Sequence, residues 1–328
     1  MQTVMIRSRI ALAVLLSIVA GIPPAAANMA YVTNERDNSL SVIDLDQMKT
    51  VKTVPVGQRP RGITITKDGS EILICASDDD TIQIVDPGTL RVVGDLPSGP
   101  DPETFALHVS GNPLFVSNEN DNLVTVVDLN TRKMLVQIPT GVEPEGMAVS
   151  PDGGTIVNTS ETTNMAHFFD YTTRKMVASV LVDARPRIAQ FKRDGSEVWV
   201  SSELGGTVSV IDSAKHVVTH KIGFNVQGLR AEAVQPVGIR FTPDSTTAFV
   251  ALGPANRVAV IDARTYEVKK YLLVGQRVWQ MAFTPDGKYL LTTNGLSNDV
   301  SVIDVASLNV VKSIPVGRLP WGVVVAPQ

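Results

Sequence analysis

The chain repeats itself along its length, and an aspartate at the end of an alternating apolar segment marks each copy. These marker residues follow one another at intervals of 42 residues, apart from one interval of 50, and they are Asp44, Asp86, Asp128, Asp170, Asp212, Asp262 and Asp304. A fixed period of this length is typical of propellers and related repeat architectures, in which each copy is one supersecondary unit. Seven copies constrain the fold more than any single motif does.

Each copy contains four short segments with the character of β-strands. In the first copy they are residues 31–33, 40–44, 51–56 and 62–66, which are rich in β-branched side chains that alternate with polar ones. Turn sequences such as Lys67-Asp68-Gly69 separate the copies, and no helical pattern appears after the N-terminal leader. Four antiparallel strands in each of seven copies predict an all-β fold, a seven-bladed β-propeller.

The two ends of the repeat array are expected to complete one blade together. The array begins at the second strand of a copy, at Tyr31, and ends after residues 321–325, which match a first strand. Pairing of the C-terminal strand with the N-terminal strands would close the ring and remove both open edges. A linear solenoid, which is the alternative architecture, would leave both edges open.

The N-terminus has the pattern of a secretory signal peptide. Arg7 and Arg9 precede an apolar run at residues 10–20, and residues 25–27 are alanines suited to a cleavage site. The run is too short to span a membrane, and no later stretch is long enough. We therefore expect a signal peptide at residues 1–27, a propeller at residues 28–328 and a periplasmic location.

Charge and cysteine content limit the partners. The formal net charge is −4, which does not suit nucleic acid, since such a partner would require a basic surface. The single cysteine, Cys75, lies in an apolar strand and is expected to be a buried, inert thiol. The protein is expected to be a monomer.

Positions that differ between the copies are the informative ones, because positions shared by all copies usually serve the fold. Two positions in each copy, called slots here, lie 15 and 17 residues after the marker aspartate. In the copy that carries an insertion at residues 226–233, they lie eight residues later. The slots are predicted to surround one mouth of the central channel. Their occupants are Arg59/Arg61, Asp101/Glu103, Glu143/Glu145, Arg185/Arg187, Gln235/Val237, Arg277/Trp279 and Leu319/Trp321. A turn expected on the same face adds Glu35, Glu119, Glu161 and Glu203. A variable loop face on a rigid scaffold is where binding is expected.

Three interpretations of this mouth remain open. In the first, the arginine and acid pairs only neutralise one another as surface salt bridges. In the second, Ca²⁺ or a trivalent lanthanide binds among carboxylates, since such ions take six or more oxygen ligands. The candidate metal ligands are Asp101, Glu103, Glu143, Glu145, Glu119 and Glu161. In the third, a protein partner or a small anionic ligand binds the basic and aromatic residues, which are Arg59, Arg61, Arg185, Arg187, Arg277, Trp279 and Trp321.

Enzyme motifs are absent from the sequence. It contains no Gly-x-Ser-x-Gly elbow, phosphate-binding loop, haem motif or zinc pattern, and its four histidines are scattered. On this basis the chain is predicted not to be an enzyme, and it has no candidate catalytic residue.

The segment Tyr31-Val32-Thr33-Asn34 resembles the signature of the YVTN-type β-propeller repeat. Residues 158–167, 251–257 and 274–280 resemble the exported seven-repeat YVTN propellers associated with PQQ-dependent catabolism of alcohols. That resemblance implies a periplasmic accessory protein, encoded near PQQ-alcohol dehydrogenases and an ABC-type transport system. It supplies no active site.

Taken together, the sequence predicts a non-catalytic periplasmic propeller that binds a partner or ligand in PQQ-dependent alcohol oxidation or in an associated transport system. The implied partners are a PQQ-dehydrogenase or an ABC transport component. The alternative is a periplasmic protein that binds Ca²⁺ or a lanthanide through the acidic residues. A weaker alternative is a lactonase-like hydrolase, because related propellers include sugar lactonases.

Overall fold

A computed structural model describes residues 28–327, which form twenty-eight strands in seven antiparallel sheets of four. Blade 1 contains β4 (Pro60–Ile65), β5 (Ile72–Ala76), β6 (Thr81–Asp86) and β7 (Arg91–Pro97). Blade 2 contains β8 (Pro102–Leu107), β9 (Leu114–Asn118), β10 (Leu123–Asp128) and β11 (Lys133–Pro139). Blade 3 contains β12 (Pro144–Val149), β13 (Thr155–Ser160), β14 (Met165–Asp170) and β15 (Met176–Leu181). Blade 4 contains β16 (Pro186–Phe191), β17 (Glu197–Ser202), β18 (Thr207–Asp212) and β19 (Val217–Gly223). Blade 5 contains β20 (Ile239–Phe241), β21 (Thr247–Ala251), β22 (Arg257–Asp262) and β23 (Val268–Leu273). Blade 6 contains β24 (Val278–Phe283), β25 (Tyr289–Asn294), β26 (Asp299–Asp304) and β27 (Asn309–Pro315). Blade 7 contains β28 (Pro320–Val325), β1 (Met29–Asn34), β2 (Ser39–Asp44) and β3 (Lys49–Pro55).

Blade 7 closes the ring in the way the sequence predicts. Strand β28 pairs antiparallel with β1, with Ala30 opposite Val325 and Val32 opposite Val323. The innermost strand of each blade contacts that of the next, and β28 contacts both β24 and β4. The fold is therefore an all-β, seven-bladed propeller, and this prediction is confirmed.

The hydrophobic core lies between neighbouring blades rather than at the centre of the ring. Every residue of β5 is buried, whereas the outermost strand of each blade is largely exposed. Trp199 of blade 4, for example, packs in one cluster with Val250 and Ile261 of blade 5. Cys75 is fully buried among these strands, as predicted.

The marker aspartates stabilise the turn that follows the third strand of each blade. Asp44 Oδ1 accepts hydrogen bonds from the backbone N–H groups of Asp46 and Gln47, both at 2.9 Å. Asp212 does the same for residues 214 and 215, at 3.1 and 2.9 Å. The repeated aspartate thus serves the fold, because its side chain replaces backbone acceptors in the turn.

The inner strands all run from the variable mouth toward the opposite face. Close approach of neighbouring blades explains the glycine near the start of several of them. A Cβ atom at Gly62 would lie 2.6 Å from the carbonyl oxygen of Glu103 in the next blade. The residues just before the inner strands are therefore fixed around one mouth of the channel.

In the described residues, helix is limited to three short 3-10 turns, at Ser77–Asp79, Glu119–Asp121 and Ala231–Ala233. None of the described helices is long and apolar enough to cross a membrane. The predicted signal peptide, at residues 1–27, lies outside the described residues.

Candidate functional site

The first slot of the mouth has an unusual backbone conformation. In six blades its φ is positive although it is not glycine, and these residues are Arg59, Asp101, Glu143, Arg185, Arg277 and Leu319. In each, the backbone N–H donates to an asparagine or aspartate side chain, as from Arg185 to Asn164 Oδ1 at 3.0 Å and from Arg277 to Asn256 Oδ1 at 2.9 Å. This anchored left-handed backbone holds the slot side chains in fixed directions.

The arginines of blade 1 pair with the acids of blade 2. Arg59 contacts Asp101 and lies 3.3 Å from Glu103, and it also pairs with Asp78 at 2.8 Å. Arg61 contacts the second oxygen of Glu103. Glu103 is completely buried, so the two arginines supply the positive charge that lets it remain ionised there.

A second network surrounds Arg187, which is 3% exposed. Its Nη2 lies 2.8 Å from Glu145 Oε1, its Nη1 contacts Glu161, and its Nε is 3.8 Å from Glu203 Oε2. Arg277 joins the network from blade 6, with Nη2 2.7 Å from Glu203 Oε1. The charged slots thus form two ion-pair networks, one around Glu103 and one around Arg187, rather than separate surface pairs.

One tryptophan lies beside each network, and both rings are largely covered. The guanidinium carbon of Arg277 lies 4.2 Å from the centre of a Trp279 ring, and that of Arg61 lies 5.6 Å from Trp321. Trp321 is only 2% exposed. The predicted aromatic surface is therefore small, with Trp279 the more accessible of the two.

Negative charge exceeds positive charge at this mouth. Within residues 28–327, five mouth arginines form ion pairs with seven carboxylates, which are Glu35, Asp78, Asp101, Glu103, Glu145, Glu161 and Glu203. Two further mouth carboxylates, Glu119 and Glu143, have no arginine partner in that part of the chain. Glu143 instead accepts a hydrogen bond from Thr162 Oγ1.

The excess charge changes the protonation of particular side chains. Burial, followed by repulsion from Glu103 and a hydrogen bond with it, raises the pKa of Glu119 to about 8. Burial and the charge of Glu103 raise the pKa of Asp101 to about 6, against the opposing effect of Arg59. The pKa of Glu145 is also raised, because burial outweighs its attraction to Arg187. Glu119 therefore holds a proton at neutral pH.

Three of the six predicted metal ligands come together. An oxygen from each of Asp101, Glu103 and Glu119 lies within 4.8 Å of the other two, so this cluster could hold a metal ion. The other three point elsewhere, since Glu145 and Glu161 face Arg187 and Glu143 faces Thr162. This cluster is smaller than the predicted one.

A depression of about 460 Å³ opens beside the cluster. Its lining includes Glu119, Glu143, Glu161, Arg185 and Leu204. Arg185 donates through Nε to Glu161 Oε2 at 2.7 Å, and its terminal nitrogens have no acceptor within residues 28–327. A proton-carrying carboxyl and free guanidinium nitrogens thus border the same space.

Sequence reasoning missed one charged residue of the channel, Arg240. It lies on an inner strand. Once the eight inserted residues are left out of the count, it follows the marker Asp212 by 20 residues. The other blades have Thr64, Ala106, Ala148, Gln190, Ala282 and Val324 at this position. Alignment of the copies three residues beyond the second mouth slot would have found it.

Fold and site together define a seven-bladed β-propeller with a charged, partly protonated mouth. Within the sequence, residues 24–151 match the family model described as "Lactonase, 7-bladed beta-propeller". A search of curated proteins found no significant match.

Solved structures share the fold at low sequence identity. Hydrazine synthase from Kuenenia stuttgartiensis is 18% identical, with a TM-score of 0.78 over 85% of this chain and 93% of that one. A 6-phosphogluconolactonase-like protein from Bacteroides uniformis is 17% identical, with a TM-score of 0.75 over 91% and 99% of the two chains. Its counterpart from Bacteroides fragilis is 16% identical, with a TM-score of 0.76 over 92% and 99%.

The match to the lactonase family model corrects two predictions. The predicted non-catalytic accessory function in PQQ-linked oxidation or transport is wrong, and so is the prediction that the chain is not an enzyme. The absence of a hydrolase motif misled the sequence interpretation, because a carboxyl group can act as a general acid or base without a fixed local motif.

Proposed function

We propose that the protein is a lactonase-like hydrolase whose site is the depression at the mouth. The observation that carries this proposal is Glu119, a carboxyl with no arginine partner in residues 28–327 and a pKa raised to about 8, on the same depression as Arg185. General acid–base catalysis is most effective when the catalytic pKa lies near the working pH. The match to the lactonase family model and the similarity to lactonase-like structures support the same reaction class.

The proposed reaction is hydrolysis of a small lactone. Ionised Glu119 takes a proton from water as the water oxygen bonds to the lactone carbonyl carbon. The free nitrogens of Arg185 stabilise the negative charge that develops on the carbonyl oxygen. The ring C–O bond then breaks, the departing alkoxide receives the proton from Glu119, and the product is a hydroxy acid.

Substitution of the acid–base residue tests this proposal. The Glu119→Gln variant should lose about 10²- to 10⁴-fold in kcat/KM, the range for removal of a general acid–base group. The measurement is hydrolysis of glucono-δ-lactone and δ-valerolactone, corrected for the spontaneous reaction at each pH. Because the base form of Glu119 increases as pH rises toward 8, wild-type kcat/KM should rise over pH 6–8 and then level off.

Glu267→Gln is the matched control, because Glu267 is an exposed residue far from the mouth. It should retain the wild-type rate and pH profile. Equal rates for wild type and Glu119→Gln, on every lactone tried, would contradict the proposed function.

We also propose Ca²⁺ or a lanthanide as a ligand of Asp101, Glu103 and Glu119 in this site. The donor set fits a hard cation in chemistry but supplies only three of the six to eight oxygens that calcium takes. A bound cation would polarise the lactone carbonyl oxygen, and because it would occupy the Glu119 carboxylate, this scheme is an alternative to general-base catalysis by Glu119. Because it must replace the proton of Glu119, binding should strengthen as pH rises from 6 to 8.

Cation binding is measured by thermal unfolding of the chelator-treated protein in the presence of Ca²⁺ or La³⁺. A specific site should add about 2.7 kcal/mol of stability at a hundredfold excess over Kd. The gain should be larger at pH 8 and absent in Glu119→Gln. Melting temperatures that do not change with either ion, at both pH values, would rule the cation out.

We further propose that the repeats are of the YVTN type and that the protein acts in the periplasm on a small-molecule substrate. The sequence of residues 1–27 supports export, and Asn34 of the Tyr31-Val32-Thr33-Asn34 segment makes buried hydrogen bonds to Ser39 and Ser41. Cell fractionation with N-terminal sequencing checks export, and a chain that keeps its leader in the cytoplasm would contradict it.

A further inference from the structure

The central channel contains a second polar region, which shares one mouth slot, Trp321, and none of the charged ones. A cavity of about 350 Å³ lies between the inner strands, and small or apolar residues form most of its wall. Four larger polar side chains also line it, and they are Gln190, Arg240, Gln280 and Trp321. A volume of this size is within the range of small-molecule sites, which is roughly 300–1,000 Å³.

Arg240 is the only charged residue that lines this cavity among residues 28–327. Its Nη1 donates to its neighbour's carbonyl, that of Ile239, at 2.7 Å and to Gln190 Oε1 at 3.4 Å. Within residues 28–327, the Nε and Nη2 atoms of Arg240 have no hydrogen-bond acceptor, and Arg240 forms no ion pair. By contrast, each of four arginines at the mouth has at least one carboxylate partner, and these are Arg59, Arg61, Arg187 and Arg277.

Arg240 is half-buried, and a positive charge there without a counter-charge is unfavourable, because part of its hydration is lost and no carboxylate replaces it. Burial accordingly lowers the pKa of Arg240 to about 10, which leaves the guanidinium charged at neutral pH. A bound anion would supply the missing counter-charge.

Two further donors in the cavity wall lack partners. Gln280 and Trp321 are 5% and 2% exposed, and both line the cavity. The Nε2 of Gln280 and the Nε1 of Trp321 are buried with no hydrogen-bond partner in the described residues. Buried donors are nearly always satisfied, so two unpaired donors on side chains that line one cavity favour a ligand that carries hydrogen-bond acceptors.

The cavity can be reached from the face opposite the mouth. Arg240 and Gln190 also line a depression of about 400 Å³ beside the hairpins that follow the inner strands of blades 4 and 5. Lys192 and Arg193 line the same depression. No carboxylate in residues 28–327 lines either the depression or the cavity, so the route is electropositive.

We propose that the central channel is an anion-binding site, in which Arg240, with Gln280 and Trp321, binds a small oxyanion of the carboxylate or phosphate class. Arginine suits this ligand, because its planar guanidinium can donate two parallel hydrogen bonds to one oxyanion. The site is distinct from the proposed hydrolase site, which lies on the mouth depression and uses Glu119 and Arg185.

Titration calorimetry of the full chain with sodium phosphate and, separately, sodium acetate tests the site, with sodium chloride matching the ionic strength. Saturable binding of at least one anion is expected. Arg240→Gln should weaken it by about ten- to hundredfold, the loss expected for one charge-assisted hydrogen bond. The tighter of the two probes identifies the class of oxyanion.

Arg132→Gln is the charge-matched control, since Arg132 is 41% exposed in its side chain and pairs with Glu71 on the outside. It should bind the anion as wild type does. Gln280→Leu, which changes no charge, should weaken binding as well, and it keeps the test available if Arg240→Gln fails to fold. Glu119→Gln should leave anion affinity unchanged, so this result is independent of the hydrolase.

Two results would overturn the proposal. One is the absence of saturable binding of either anion to the wild-type protein. The other is equal affinity in wild type, Arg240→Gln and Gln280→Leu, which would indicate that the anions bind elsewhere.

Discussion

Arg187 shows how a single residue controls the charge at the mouth. It is 3% exposed, and the acids that surround it, Glu145, Glu161 and Glu203, are 1%, 5% and 3% exposed. Removal of one partner from a buried ion pair is much more costly than removal of both, because the remaining charge has neither water nor a partner. Arg187 is thus a structural counter-ion, unlike the half-exposed Arg185 beside it.

Replacement of Arg187 by methionine should destabilise the protein by about 3–5 kcal/mol, as is typical when a buried ion pair loses one member. Urea unfolding followed by circular dichroism measures the change. Arg185→Met is the matched control and should cost less than about 1 kcal/mol, because the Arg185 side chain is 44% exposed and both of its acid partners keep Arg187.

The pH dependence of this loss identifies its cause. Burial already raises the pKa of Glu145 above that of the unfolded chain, and loss of Arg187 raises it further, so the folded variant binds more protons and gains stability as pH falls. The difference between wild type and Arg187→Met should therefore be smaller at pH 5 than at pH 8. An equal difference at both values would attribute the loss to packing rather than to charge.

At the scale of strands and turns, much of the fold follows from the sequence. Alternation such as that of residues 40–44 is a local signal that predicts the strands, and Asp-Gly predicts the hairpin after the inner strand in four blades. Repetition then makes the count of blades certain, because each copy needs the next to cover its apolar face.

The arrangement of the mouth follows from the sequence only in part. Alignment of the copies places the charged slots around one opening, but it does not give their partners. Arg277 pairs with Glu203, 74 residues earlier and two blades away, and Glu119 turns toward Asp101 and Glu103 while Glu143 turns away. Such pairings depend on side-chain directions that a repeat pattern does not encode. The same is true of the pKa of Glu119, which depends on burial and on distance to Glu103.

At the scale of the whole molecule, the ring depends on its last strand. Strand β28 pairs with β1 and packs against the inner strands of blades 1 and 6. It buries Trp321, Val323 and Val325, which are 2%, 6% and 8% exposed. Each fully buried side chain of this kind contributes about 1.5–3 kcal/mol, so the three together approach the 5–15 kcal/mol that is typical of a whole domain.

Deletion of residues 320–328 should therefore abolish cooperative unfolding of the ring, because blade 7 loses its inner strand and β1 becomes an open edge. Thermal unfolding followed by circular dichroism measures this. A synthetic peptide of residues 318–328, added in trans, is the control for specificity. It should restore a cooperative transition whose midpoint rises with peptide concentration, since it binds only the folded ring. A truncated chain with the wild-type melting curve would show that six blades and an incomplete seventh are sufficient.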